Sequence, residues 1–196
     1  GFSFSDAKVA ICGTGPTALA ILHAAAIAGA SEVLLLSRDK ERAREVLDRY
    51  VDEFGALAHA TVDLQAAVDG HRSFLTAYEQ TMFKFGSYTT STQAIAAADL
   101  IINATPLGMR EGDPAPFDVA LFREGQRAFD VVYAHGETAF AAGAKAAGCT
   151  FSDGGGMLVA QAVATVQAVC DVSGIDCELS FDELFEIMAN AANFNV

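Results

Sequence analysis

Lys8-Val9-Ala10-Ile11-Cys12 is a short apolar run that stops abruptly at Gly13-Thr14-Gly15-Pro16. A continuous apolar run bounded by turn signals, with no polar residue alternating inside it, predicts a strand buried on both faces. Pro16 suits the first turn of a helix, where its missing N–H costs nothing. The alanine- and leucine-rich stretch Thr17 to Ala28 continues that helix, and Gly29 supplies its C-cap. Glu32 to Ser37 predicts a second buried strand, and charged Arg38 to Arg44 leads into a second helix reaching about Phe54. This is a βαβ unit, whose crossover is right-handed almost without exception. Asp99 to Ala104 and Ala128 to Tyr133 repeat the strand signature, and an alanine-rich helix over Thr138 to Ala147 follows the second. Gly148 to Ser152 predicts a last short strand ahead of Gly154-Gly155-Gly156. Met157 to about Val172 predicts a helix, and another starts at Ser180. The spacing of Ser180 to Glu183 makes a capping box ahead of Leu184, Phe185, Ile187 and Met188. Between Gly55 and Tyr88, Leu64, Ala67, Val68, His71, Phe74, Leu75, Tyr78, Met82 and Phe85 recur at helical spacing and predict a further helix. Strands alternating with helices give an α/β class and a doubly wound parallel sheet.

The 196 residues fit one domain, 1–196, with residues 157–196 as a C-terminal helical extension. An apolar fraction of 52% against 19% charged residues supports a sizeable core and excludes a mainly disordered chain. The 25 acidic residues outnumber the 12 basic ones, for a net charge of −13. So negative a surface repels phosphate backbones and anionic lipid, which argues for no nucleic acid and no membrane as partners. A small anionic ligand fits only where basic residues or helix N-termini are locally focused. No long apolar stretch is free of turn or charge signals, and Gly1 to Lys8 lacks the marks of a secretory signal. Four cysteines (Cys12, Cys149, Cys170 and Cys177) form no C-x-x-C pair and read as reduced, packed side chains with no metal. The expectation is a cytoplasmic protein.

Gly13-Thr14-Gly15-Pro16-Thr17-Ala18 is a variant of the G-x-G-x-x-G/A fingerprint of the Rossmann-like fold. The first glycine makes a tight turn, the second lets backbone approach a pyrophosphate, and a small third residue lets helix and strand pack closely. The helix opening there offers free N–H groups and a partial positive charge. The second strand ends in Ser37-Arg38-Asp39-Lys40-Glu41-Arg42, where an NAD-binding fold usually carries an acidic residue for the ribose diol. Arg38 there suits a 2′-phosphate and an adenine face, with Arg42 one helical turn on as a second clamp. Asp39 suits a 2′-hydroxyl instead, so NADP is the favoured cofactor and NAD the alternative.

These stretches occur in order with Ala98-Asp99-Leu100-Ile101-Ile102-Asn103-Ala104-Thr105-Pro106-Leu107-Gly108-Met109, Asp130-Val131-Val132-Tyr133 and Asp153-Gly154-Gly155-Gly156-Met157-Leu158-Val159-Ala160-Gln161. Together they resemble the C-terminal, NADP-binding domain of shikimate dehydrogenases and their quinate-oxidising relatives, over nearly the whole chain. The resemblance implies reversible hydride transfer between NADP(H) and the small-molecule pair 3-dehydroshikimate and shikimate. It makes Gly13, Thr14, Gly15, Pro16, Thr17 and Ala18 the pyrophosphate loop, and Ser37, Arg38, Asp39 and Arg42 the adenosine-phosphate contact. Asn103, Ala104 and Thr105 become the turn under the ribose, and Val131, Gly154 and Met157 the neighbours of the nicotinamide. Tyr133 and Gln161 would reach the substrate.

The sequence departs from the family pattern in two places. Ala134-His135-Gly136-Glu137-Thr138-Ala139 replaces N-P-x-x-T-P, so both prolines are missing. The family's N-V-T-x-P-x-K and G-x-N-T-D motifs, whose lysine and aspartate handle the proton, are absent. The resemblance therefore implies a domain of a longer enzyme with no catalytic acid–base residue of its own, inactive alone. Apolar surface left by the missing partner domain invites a homodimer. A stand-alone dinucleotide-binding module is the rival reading.

Overall fold

The computed structural model describes residues 2–60 and 81–194. Six strands, β1 (Lys8–Cys12), β2 (Glu32–Ser37), β3 (Met82–Ser87), β4 (Leu100–Asn103), β5 (Arg127–Asp130) and β6 (Thr150–Asp153), form one sheet in the order β3-β2-β1-β4-β5-β6. Every pairing is parallel. This is the Rossmann-like doubly wound arrangement, with its order reversing between β1 and β4. The helices are α1 (Pro16–Ile27), α2 (Lys40–Ala60), α3 (Thr92–Ala96), α4 (Ala139–Ala146), α5 (Gly155–Ser173) and α6 (Phe181–Ala191).

The central strands are apolar throughout because both faces are covered. Val9, Ile11, Val33, Leu35 and Ile102 point into a core completed by Ala18, Leu22 and Ala25 of α1 and by Val46, Leu47 and Tyr50 of α2. Their neighbours Ala10, Cys12, Leu34, Leu36 and Ile101 point the other way, onto Ile95, Phe117, Phe122, Phe140 and Ala144. The period-2 alternation of side chains thus divides one apolar run between two cores. α1 contributes Ala18, Leu22, Ala25 and Ala26, one stripe at helical spacing, and Gly29 (φ 93) ends it in the left-handed region.

Several boundaries differ from the sequence expectation, each for a local reason. Met82 to Ser87 is an edge strand and not part of a helix. Met82 and Lys84 are exposed while Phe83 and Phe85 turn inward, so the governing period there is 2. The rest of that expected helix, over residues 61–80, lies outside the described residues. The second helix runs on to Ala60 rather than stopping near Phe54. β5 ends at Asp130 rather than Tyr133, because the Asp130 carboxylate accepts the N–H of Val132 at 3.1 Å and bends the chain out of the ladder. α5 starts at Gly155, two residues before Met157.

α5 and α6 share a small cluster of their own, built on Val159, Val163 and Ala189 with Leu184, Phe185, Met188 and Phe194. The expected capping box is present: Ser180 Oγ accepts the Glu183 N–H, and Glu183 accepts the Ser180 N–H at 2.8 Å. By length and composition alone α5 could cross a membrane, contrary to the sequence expectation, since its small and apolar residues outweigh Asp171. Val159 and Val163 nonetheless dock it on α6, and much of its remaining surface is exposed.

Candidate functional site

The C-terminal ends of β2, β1, β4, β5 and β6 lie side by side, an edge of four interstrand spacings or roughly 19 Å. At its centre a cleft of about 270 Å³ opens at the switch point between β1 and β4, lined by Gly13, Thr14, Gly15, Ser37, Arg38, Tyr88 and Ala104 to Leu107. The two loop glycines are there for opposite reasons. Gly13 has φ 115, and a Cβ on it would meet the Ala104 carbonyl oxygen at 2.6 Å, so the fold itself requires glycine. Gly15 has ordinary extended geometry (φ −82, ψ 176) and a Cβ on it would meet nothing within 4 Å. Nothing in the fold excludes a side chain at Gly15; its absence keeps open the space in front of α1. Gly15 is also the N-cap of that helix and has no side chain to satisfy the free N–H groups behind it, which leaves them for a ligand. Pro16 and Thr17 are exposed in the first turn, while Ala18 is fully buried and lets α1 close on the sheet.

The basic residues after β2 separate clearly. Among the described residues, Arg42 pairs with Glu45, Arg44 with Glu41 and Asp48, and Arg49 with Glu53, all along the exposed face of α2. Lys40 lies over the Phe85 ring. Arg38 is exposed, lines the cleft, and makes no ion pair among the described residues. Arg42, expected as a second clamp, does not line the cleft. Asp39 turns its carboxylate back to accept the Glu41 N–H at 3.0 Å, capping α2, and its own N–H bonds Ser37 Oγ. That engagement ties up one carboxylate oxygen of Asp39, which does not line the cleft.

Tyr88, just past β3, joins the cleft although the sequence reading placed it in an apolar helical stretch. Burial and the neighbouring Cys12 push its phenol above the usual range, and the Arg38 guanidinium and Gly13 backbone pull part of the way back. The signal that could have found it is the alternation Phe83, Phe85 that marks β3. Cys12 itself is wholly buried, and burial, then the Asp130 carboxylate, push its thiol far above the usual range, so it is inert.

Asn103 is fully buried and uses its side chain inside the protein. Its Nδ2 donates to the Leu107 carbonyl at 3.0 Å and to Asp130 at 2.9 Å, and its Oδ1 accepts from the Thr105 N–H and hydroxyl. Asn103 thus shapes the turn that presents Ala104 and Thr105 without facing the cleft. Asp130 in turn accepts from the Thr138 hydroxyl at 2.7 Å, and Thr138 caps α4. Burial outweighs these bonds and holds the Asp130 carboxyl above its ordinary range. Without the two prolines of the family pattern, the turn after Tyr133 closes through left-handed Ala134 (φ 58) and Gly136 (φ 76).

The far end of the edge gathers Val131, Tyr133, Gly154 and Met157. A Cβ on Gly154 would collide with the Val131 carbonyl oxygen, so β5 and the start of α5 touch backbone to backbone. The Tyr133 ring packs edge-on against Phe194 at 5.8 Å. Gln161 is exposed on α5, one turn beyond Met157 and on the same face. Among the described residues no cluster of His, Cys, Asp or Glu is arranged to hold a metal.

No family model matches the chain. It is 35% identical over 167 residues to the NADP(+) shikimate dehydrogenase of Moorella thermoacetica, an alignment covering 84% of this chain and 48% of that protein. The chain belongs to the shikimate dehydrogenase family. The corresponding enzyme of Chelativorans sp. is 28% identical over 158 residues, 81% of this chain and 46% of the relative. Quinate dehydrogenase from Corynebacterium glutamicum, solved with NAD, shares the fold at a TM-score of 0.67 and 24% identity, over 95% of this chain and 56% of that one. The chain spans about half the length of the family members it matches. The glycine loop, the Asn103 turn and the Gly154 contact lie in chain order along one sheet edge.

Proposed function

We propose that this chain is the dinucleotide-holding half of a shikimate dehydrogenase-like oxidoreductase that prefers NADP to NAD. The observation that carries the reading is the pairing, in one cleft, of Arg38, which makes no ion pair with a carboxylate among the described residues, with the open space left by Gly15. The cleft fits the cofactor on the structure's own terms. A glycine that the fold does not require keeps a helix N-terminus clear for a pyrophosphate. A guanidinium with no carboxylate partner among the described residues stands at the strand tip where a 2′-phosphate would lie.

In this reading Thr14, Gly15 and Thr17 offer backbone N–H groups to the pyrophosphate, Gly13, whose own N–H is held by the Leu36 carbonyl, makes the turn, and Arg38 and Ser37 hold the adenosine phosphate. Ala104 and Thr105 support the ribose, with Asn103 fixing their turn. Val131, Gly154 and Met157 would flank the nicotinamide, and close packing there keeps water from one side of it. When bound, the nicotinamide supplies the hydride chemistry between a ketone and a secondary alcohol; the protein supplies orientation and a dry surface. In this reading Tyr133 and Gln161 would contact the shikimate or 3-dehydroshikimate hydroxyls and carboxylate.

Calorimetric titration with NADPH and NADH tests the reading. The wild-type chain should bind NADPH more tightly, and Arg38→Ala should weaken NADPH by about 10- to 100-fold, the worth of one charge-assisted bond. NADH binding should change little. Equal affinities for the two cofactors, or an unaffected mutant, would overturn the assignment of Arg38.

A further inference from the structure

Two thiols far from the cofactor edge are brought together by the way α5 ends. Gly174 (φ 64) takes the left-handed cap, its N–H donates to the Asp171 carbonyl, and the Ile175 N–H donates to the Cys170 carbonyl at 2.9 Å. This closure turns the chain back over its own last helical turn. Cys177 follows two residues beyond Ile175, on the segment this closure turns back toward Cys170, and burial, then the neighbouring Cys177, push the Cys170 thiol up. Both are free and half-buried, and Cys177 Sγ also lies 3.6 Å from the Leu179 carbonyl oxygen. Neither residue touches the cleft, and the Rossmann-like core has no need of either.

We propose that Cys170 and Cys177 form a dithiol modification site, closed to an intramolecular disulfide by exchange with a small cationic disulfide. One thiolate attacks a sulfur of the reagent, its S–S bond breaks, and one reagent thiol leaves with the proton. The second cysteine then displaces the remaining reagent thiol from the mixed disulfide. Two protein thiols are oxidised and one reagent disulfide is reduced to two thiols, so no other oxidant is needed. The charge preference follows from the surroundings: Asp171, Asp176 and Glu178 border the pair, and no basic residue lies in the stretch from Cys170 to Phe181. This local field repels an anionic reagent and attracts a cationic one. The product ties the last turn of α5 to the segment entering α6, and so restrains the helix that packs on Val159 and Val163.

The test incubates the full chain with cystamine, blocks residual thiols by alkylation and maps the peptides. The expected result is loss of two of the four thiols, a peptide cross-linked between Cys170 and Cys177, and Cys12 left reduced. Cys170→Ser should instead stop at a stable mixed disulfide on Cys177. Oxidised glutathione, which is anionic, should react more slowly at low ionic strength, and added salt should narrow the gap. Hydrogen exchange in Phe181–Ala191 should slow in the cross-linked protein and recover on reduction. The proposal is overturned by unresolved mixed disulfides on both cysteines, by a link to Cys149, or by unreacted thiols. Equal rates for the two reagents would remove the charge preference, and unchanged exchange would remove the restraint on α6.

Discussion

Gly13 and Gly15 share a motif but not a reason, and substitution should separate them. Gly13→Ala adds a Cβ 2.6 Å from a carbonyl oxygen at φ 115, so β1 and β4 must move apart. A loss of about 2 kcal/mol or more in chemical unfolding is expected. Gly15→Ala meets no protein atom; stability should stay within about 0.5 kcal/mol of wild type while NADPH affinity falls sharply. A Gly15→Ala protein that binds NADPH normally would refute the role given to that space. The turn after Tyr133 gives a second test at this scale. Ala134 sits at φ 58, where an L side chain is strained. Ala134→Gly should raise stability by about 1 kcal/mol, and Ala134→Asn by less, in thermal unfolding. The meeting of the glycine turn and Arg38 in one cleft was readable in the sequence, because each closes the end of a strand in one βαβ unit. The work of Asn103, Asp39 and Arg42 was not, since burial and hydrogen-bond partners decide whether a polar side chain serves a ligand or its own backbone.

At the scale of elements, Asn103, Asp130 and Thr138 join the ends of β4 and β5 to the start of α4 through one buried carboxylate. Folding raises the Asp130 carboxyl above its usual value near 3.8, with burial the leading cause. The protonated form is thus the one the fold favours. Its contribution is complete below the unfolded value and is lost as pH rises through the raised folded one. Urea unfolding across pH values from about 3 to 8 should show wild-type stability falling relative to Asp130→Asn over that window. A difference independent of pH would exclude the linkage. Element types were mostly legible: β1, β2 and β4, α1, and the capped α6 all lie within a few residues of where apolar patterning puts them. The exception, β3, is instructive. Met82 and Phe85 fit a helical spacing as well as a strand, and only pairing with β2 chooses between them.

For the whole molecule, the surface charge of −13 makes Arg38 and the α1 N-terminus a local exception that a dinucleotide phosphate would seek out. The motifs that carry the family's lysine and aspartate do not occur in these 196 residues. The chain should therefore bind NADPH yet show no shikimate oxidation above background, given the roughly 10²–10⁴-fold that a positioned acid–base group contributes. Sustained turnover by this chain alone, followed by NADPH absorbance, would refute that expectation. What the sequence determined by itself was set by short-range physics: apolar runs that must be buried, a glycine turn between strand and helix, caps, and net charge. What the tertiary structure decided was everything depending on neighbours distant in the chain. It chose the period of β3, set the Asn103 amide against Asp130, and brought Tyr88 to Arg38. Those outcomes depend on which groups are desolvated together, and a linear pattern does not carry that information.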